Sequence, residues 1–286
     1  MNTGTDTQKH PNVTAHDRVG RGRSPQVVTI IESPSANLNS IFIALRRIQT
    51  ELHDSTGRTF SLKLSHDPQE ILQSDRVIFP GVGHAGYIMK QLYSSGLDRV
   101  LHQVAEARVP LMGICMGMQL LFEKLSEGDR QLGLGLLPGS IVPLRPALDR
   151  LSEPASKQRQ TKMAVPQKVA VPHMGWNRIE AWSDNDTETR NADGRTNSRV
   201  LQSLCDGLET STDTAGYFVH SYYLAPGPET LAICRYGGLE ISAIVRGTKH
   251  GDSHIWGCQF HPEKSGRFGS RILRNWLEYA DTEYKT

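Results

Sequence analysis

No run of about 18 consecutive apolar residues occurs in the 286-residue chain, which excludes a membrane-spanning helix. The first 25 residues also lack the apolar centre of a secretory leader, so the expected compartment is the cytoplasm. Cysteine is scarce. Cys115, Cys205, Cys234 and Cys258 form no C-x-x-C pair and no zinc-ligand spacing, so neither a disulfide framework nor a structural metal site is implied. A strong excess of either charge is missing too. A formal net charge of +2, with 37% hydrophobic and 22% charged residues, describes an ordinary globular protein and excludes a fibrous, collagenous or largely disordered one. Composition alone therefore points to no partner.

The small net charge is unevenly placed. Lys9, Arg18, Arg21 and Arg23 against Asp6 and Asp17 make residues 1–25 a basic arm that accounts for all of it. Such an arm can touch nucleic acid. Without interleaved aromatics it reads instead as a solvated, disordered terminus, with no nucleic-acid or membrane partner expected.

After Pro25 the text becomes patterned. Val27–Ile31 is a short apolar run, and Leu38, Ile41, Phe42, Leu45 and Ile48 recur at helical spacing, so the segment reads strand, loop, helix. Phe60–Leu64, Val77–Phe79 and Leu111–Ile114 are further strand candidates, with a helical stretch from about Tyr87 to Ala107. Strands alternating with helices predict an α/β fold whose mostly parallel sheet is covered by helices on both faces. Beyond Leu137 the expected strands shorten: Ser140–Val142, Arg178–Ala181, Tyr217–His220, Leu231–Tyr236, Ile241–Val245 and Ile255–Phe260. A last helix spans about Arg267–Tyr279, so the second half adds an antiparallel, hairpin-rich portion. Residues 145–168 and 182–214 are polar and read as insertions, which leaves one domain over 26–286 rather than two.

The sharpest local signal is Gly113-Ile-Cys115-Met-Gly117, where a strand runs straight into a helix. Flanking glycines relieve the crowding of a sharp turn, and a helix N-terminus favours a thiolate, so this reads as a thiol version of the nucleophile elbow. A buried cysteine in a packed turn is the structural alternative. A nucleophilic thiol needs a base with a fixed tautomer. His261-Pro-Glu263 supplies one, with the two-residue spacing placing both side chains on one side of an extended segment. Pro80-Gly-Val-Gly83 closes another strand with exposed amides suited to an oxyanion. The letters Gly81-Val-Gly83-His-Ala-Gly86 also match a dinucleotide fingerprint, but the next strand ends at Cys115 rather than near the acidic residue that a ribose needs. His250 and His254 lie in a stretch that reads as an exposed loop and lack a third metal ligand.

Together, Pro80-Gly-Val-Gly83, Gly113-Ile-Cys-Met-Gly-Met-Gln119, Pro172-His-Met-Gly-Trp-Asn177, Tyr217-Phe-Val-His-Ser-Tyr-Tyr223 and Gln259-Phe-His-Pro-Glu-Lys-Ser-Gly266 resemble the class I glutamine amidotransferases. More narrowly, they resemble the glutaminase subunits of imidazole glycerol phosphate synthase. That resemblance implies a flavodoxin-like fold and a cofactor- and metal-free reaction. Cys115 would attack the side-chain amide of L-glutamine, His261 would relay the proton to ammonia, and Glu263 would orient and stabilise the imidazolium. It further implies oxyanion donors at Val82 and Met116, and glutamine held by Gly83, Gln119, Ser221 and Tyr222. The implied partner is a (β/α)₈ cyclase subunit of the histidine pathway, forming a heterodimer, with Asn37 and Trp176 on the partner-facing side. For Trp176 an ordinary core tryptophan is the alternative. The loop Glu32-Ser-Pro-Ser-Ala-Asn37 departs from the family pattern, since Pro34 stands where a permissive glycine is usual, but the helix start at Asn37 and Leu38 is expected to survive. An amidotransferase serving another synthase and a non-catalytic scaffold are the rival readings. The complete triad opposes the scaffold, and the Pro-His-Met-Gly-Trp-Asn block opposes the other synthases.

Overall fold

The computed structural model describes residues 25–32, 37–127, 131–152, 169–182, 214–248 and 253–283. The basic arm, most of both polar insertions, Cys205, His250 and the Pro34 loop lie outside the described residues.

The apolar run after Pro25 forms β1 (Gln26–Ile31), followed by α1 (Leu38–Thr56). Asn37 starts that helix as expected, its side-chain oxygen accepting from the Ser40 amide at 3.4 Å. Next come β2 (Phe60–Ser65), α2 (Pro68–Leu72), β3 (Arg76–Gly81), α3 (Ala85–Ser95), α4 (Leu97–Glu106), β4 (Leu111–Cys115) and α5 (Met116–Leu120). The single helix expected from Tyr87 to Ala107 is therefore two. Gly96, at φ +74°, ends the first with its amide on Tyr93 O, a left-handed cap that glycine adopts freely.

The remaining elements are β5 (Phe122–Leu125), β6 (Gln131–Leu132), β7 (Leu137–Pro143), α6 (Leu144–Ser152), β8 (His173–Arg178), β9 (Glu180–Ala181), β10 (Ala215–His220), β11 (Tyr222–Leu224), β12 (Thr230–Tyr236), β13 (Leu239–Arg246), β14 (Ile255–Cys258) and α7 (Gly266–Glu283). An eight-stranded sheet in the order β2-β1-β3-β4-β14-β13-β12-β9 forms the frame. Its first five strands pair in parallel and its last three antiparallel, as the sequence predicts. Gly237-Gly238, at φ +58° and +85°, makes the two-residue turn between β12 and β13. Two smaller antiparallel or mixed sheets, β10-β8 and β11-β7-β5-β6, extend the second half.

Period-two alternation builds two cores. Val28, Ile30, Ile78, Met112 and Ile114 face α1 and α7, packing with Ile41, Leu45, Ile48, Ile272 and Trp276. Ile31, Val77, Phe79 and Leu111 face the other way, against Ile88, Leu92, Val100, Leu101 and Val104 of α3 and α4. Both faces of the parallel half are thus dry, which is why its strands read as continuous apolar runs.

Three expectations are corrected. Residues 145–152 are not part of a polar loop: they belong to α6, whose Leu144, Ala147 and Leu148 are buried at helical spacing in the first core. Pro146 disguises that helix, being tolerated because it sits in the first turn. The strand expected over Arg178–Ala181 shrinks to β9, and a separate strand not expected from the sequence, β8, precedes it in another sheet, its extended character concealed by Gly175 at φ +128°. His254 is only 2% exposed rather than in an open loop, and its carbonyl accepts from Leu111 at the start of β4.

If α6 is core, Leu148→Ala lowers stability by about 2–5 kcal/mol in urea unfolding. A loop residue would change it by less than about 0.5 kcal/mol.

Candidate active site

Three neighbouring strands of the large sheet end at the same edge. The register sets Gly81 of β3 beside Cys115 of β4, and Cys258 of β14 beside Ile114. Pro80–Gly83, Cys115 and His261 therefore meet outside the carboxyl ends of the strands, where α/β sheets commonly bind ligands.

Close packing dictates the turn at Cys115. A Cβ on Gly117 would stand 1.9 Å from Phe79 O, and one on Gly113 would stand 2.7 Å from Met118 N. Only glycine at both positions lets α5 lie on β3 and β4. The chain reverses so sharply that Cys115 itself takes φ +54° and ψ −111°, a conformation costing a non-glycine residue on the order of 1–3 kcal/mol. The side chain is thereby presented at the N-terminus of α5, where free amides and the helix dipole favour an anion. Its thiol points at Val219 O, 3.8 Å away on β10.

His261 follows β14, and its amide donates to Tyr217 O at 2.9 Å. The link to Glu263 is a 3₁₀ turn over Pro262–Lys264 rather than the extended segment expected, and it curls the carboxylate back onto the ring. His261 Nδ1 meets Glu263 Oε1 at 2.8 Å, with both side chains almost fully buried. This bond commits Nδ1 to the carboxylate and leaves Nε2 for proton transfer. Burial alone would lower the His261 pKa, but hydrogen bonding and charge from Cys115 and Glu263 prevail and raise it to about 10. Burial pushes the Cys234 thiol up to about 12, and burial with the Glu263 charge pushes Cys258 up as well, so both are inert.

Ser265 was not singled out from the sequence, yet it anchors the histidine loop. Its hydroxyl donates to His261 O at 2.6 Å and accepts from the Tyr217 amide at 2.9 Å. Gly269 was missed as well; a Cβ there would stand 1.9 Å from Pro262 O, so α7 presses directly on the His-Pro-Glu turn.

A model of the class-I glutamine amidotransferase family matches residues 31–279. The chain belongs to that family. Relatives described as imidazole glycerol phosphate synthase subunit HisH include one from Nitratidesulfovibrio vulgaris, 39% identical over 76% of this chain and 84% of its own length. Another, from Xanthomonas campestris, is 35% identical over 88% of this chain and 98% of its own length. Among solved structures, a putative GMP synthase subunit from Thermoplasma acidophilum aligns with a TM-score of 0.54 at 14% identity, covering 91% of this chain and 96% of that one. A structure described as a glutamine amidotransferase gives 0.52 at 17% identity, over 88% and 98% of the two chains. At such identities these structures speak for the fold alone.

In this amidotransferase the other expected site residues fall into three groups. Val82, Gly83 and Met116 flank Cys115, with Gly83 at φ +102° and Met116 opening α5. Ser221 joins β10 to β11, and Tyr222 opens β11, beside the nucleophile's Val219 contact. Gln119 is buried, and its amide nitrogen is already engaged by Tyr222 O at 2.9 Å and Gln259 Oε1 at 2.8 Å, so it braces the site from behind. Asn37 and Trp176 are not drawn into this cluster. Trp176 is 60% exposed on β8, with its ring edge-on to Tyr217 at 6.0 Å, which removes the core-tryptophan alternative. Among the described residues no group of three or more side chains is arranged to hold a metal ion.

The raised His261 pKa sets a pH signature. The imidazolium is present below that value and lost above it, so glutaminase activity should persist well above pH 6.5 before an alkaline fall. Glu263→Gln removes one support of the charged ring. It should move that alkaline limb down by about one pH unit or more in a profile of glutamate release.

Proposed function

We propose that this chain is the glutaminase subunit of an imidazole glycerol phosphate synthase, hydrolysing L-glutamine and passing the ammonia to a (β/α)₈ cyclase subunit. The observation that carries the reading is the strained Cys115 at a helix N-terminus, electrostatically coupled to a buried His261 that Glu263 fixes.

The chemistry follows from those groups. The Cys115 thiolate, held as an ion pair with the His261 imidazolium, adds to the side-chain carbonyl carbon of glutamine. The oxygen takes up negative charge and is met by backbone amides at Val82–Gly83 and Met116. Collapse of this adduct breaks the C–N bond as His261 delivers its proton to the leaving nitrogen, releasing ammonia and leaving a glutamyl thioester on Cys115. Neutral His261 then takes a proton from water as the hydroxyl adds to the thioester. Glutamate departs and the thiolate is restored. Glu263 stays ionised throughout, stabilising the imidazolium and holding Nδ1 protonated. Ser221 and Tyr222 line the approach and hold the amino-acid end of the substrate.

The partner assignment rests on the HisH relatives and on β8. Met174 and Trp176 stand out from this strand, 62% and 60% exposed, a pair of large apolar side chains suited to burial against another protein. Asn37, exposed at the start of α1, belongs to the same docking role.

The full chain should release glutamate from glutamine when mixed with the cyclase partner and that partner's ligand, and release little alone, because ligand and glutaminase sites are coupled. Glutamate release no greater than that of Cys115→Ala would overturn the enzymatic reading. Full activity without the partner would overturn the coupling.

A further inference from the structure

Two buried histidines take no part in the chemistry above. His173 on β8 and His220 on β10 are directly opposed in the antiparallel pair, and both are nearly inaccessible. Their hydrogen bonds admit one tautomer each. His220 Nδ1 lies 2.8 Å from Tyr222 O, which can only accept, so Nδ1 carries the proton. The neutral ring's Nε2 is then an acceptor, and it lies 2.9 Å from His173 Nδ1, which must donate. His173 Nε2 in turn accepts from Asn177 Nδ2 at 3.3 Å, while the second proton of that amide goes to Arg235 O at 2.9 Å. Every donor points the same way, from the partner-facing strand toward the glutamine-binding segment. Burial keeps both rings neutral, with pKa values of about 4 for His173 and about 3 for His220.

The chain of bonds ends where the site needs support. Tyr222 O also receives Gln119 of α5, and Val219 O, on the other side of His220 and Ser221, receives the Cys115 thiol. The segment Val219–Tyr222 thus lies against the nucleophile at one end and is held at the other by His220 and Gln119. His173 is clamped between Phe218 and Tyr236, with ring centroids at 4.8 and 3.9 Å, so it cannot swing without moving β8. The same strand carries Met174 and Trp176 on its outer face.

We propose that His173 and His220 are positioning residues for glutamine hydrolysis: through the directed chain Asn177–His173–His220–Tyr222 O they hold Val219–Tyr222 in register with Cys115, and tie that register to the outer face of β8. This rests on the function proposed above. Neither histidine touches the reacting atoms.

The test compares His173→Phe and His173→Asn in the full chain, assayed in complex with the cyclase partner. Phenylalanine keeps the ring between Phe218 and Tyr236 but donates nothing. Asparagine packs less well, yet its side-chain amide donates from the place of Nδ1. The expected result is a kcat about five- to tenfold lower for His173→Phe, despite the higher melting temperature of the two variants, and partial recovery for His173→Asn. Activities that rank with melting temperature would overturn the proposal, because a merely structural histidine behaves that way. A second readout needs no activity. Imidazole ¹⁵N spectra of the isolated chain should show both histidines neutral and protonated at Nδ1 at pH 7, and an Nε2-protonated or charged ring at either position would overturn the chain of bonds. A wild-type complex that releases no glutamate would overturn the function rather than the hydrogen-bond chain, which the tautomers decide.

Discussion

The contact between the first turn of α5 and the ends of β3 and β4 governs the rest of this structure. Phe79 O lies where a side chain on residue 117 would begin, and Met118 lies where one on residue 113 would begin. With glycine at both places the helix drops onto the sheet, and the single residue left to turn the chain is Cys115, at a positive φ. The cost, on the order of 1–3 kcal/mol, is local, whereas the two cores that hold the turn in place are spread over both faces of the sheet. A thiol that would otherwise be one more buried cysteine is thereby set at a helix N-terminus, facing a base.

The antiparallel half supplies everything else the thiol needs. Inserting β14 beside β4 brings His261 one strand away from Cys115, and the 3₁₀ turn after it folds Glu263 underneath. Ser265 and Gly269 then tie that turn to β10 and α7. The small β8–β10 sheet meets the nucleophile at Val219 and also carries the exposed Trp176. The strand pair that touches the nucleophile at Val219 therefore also carries the outward-facing residues, and a directed line of hydrogen bonds runs across it.

Much of this was legible in the residues. Apolar runs alternating with helical spacing foretold the parallel half, and Gly-x-Cys-x-Gly with His-Pro-Glu pointed to the amidotransferase family, because both depend on local rules: period, turn sterics and charge pairing. What was hidden depends on long-range packing. Nothing near Gln119 in sequence shows that its amide is taken up by Tyr222 and Gln259, more than a hundred residues away. The tautomers of His173 and His220 likewise follow from a pairing of two strands 47 residues apart. α6 was obscured by Pro146 and by polar neighbours, although Leu144, Ala147 and Leu148 carry helical spacing. For Trp176, the choice between core and interface was decided by the face of β8 on which it falls, and the sequence did not mark β8 as a strand.

The central claim is that packing selects Cys115, alone among the described cysteines, as a nucleophile toward glutamine. Acid-quenching the chain with glutamine in the presence of the cyclase partner, followed by peptide mass analysis, tests it most directly. The account predicts one added glutamyl group on the peptide containing Cys115, and none on the peptides containing Cys234 or Cys258. A glutamyl group on either of those cysteines, or glutamate release undiminished in Cys115→Ala, would contradict it.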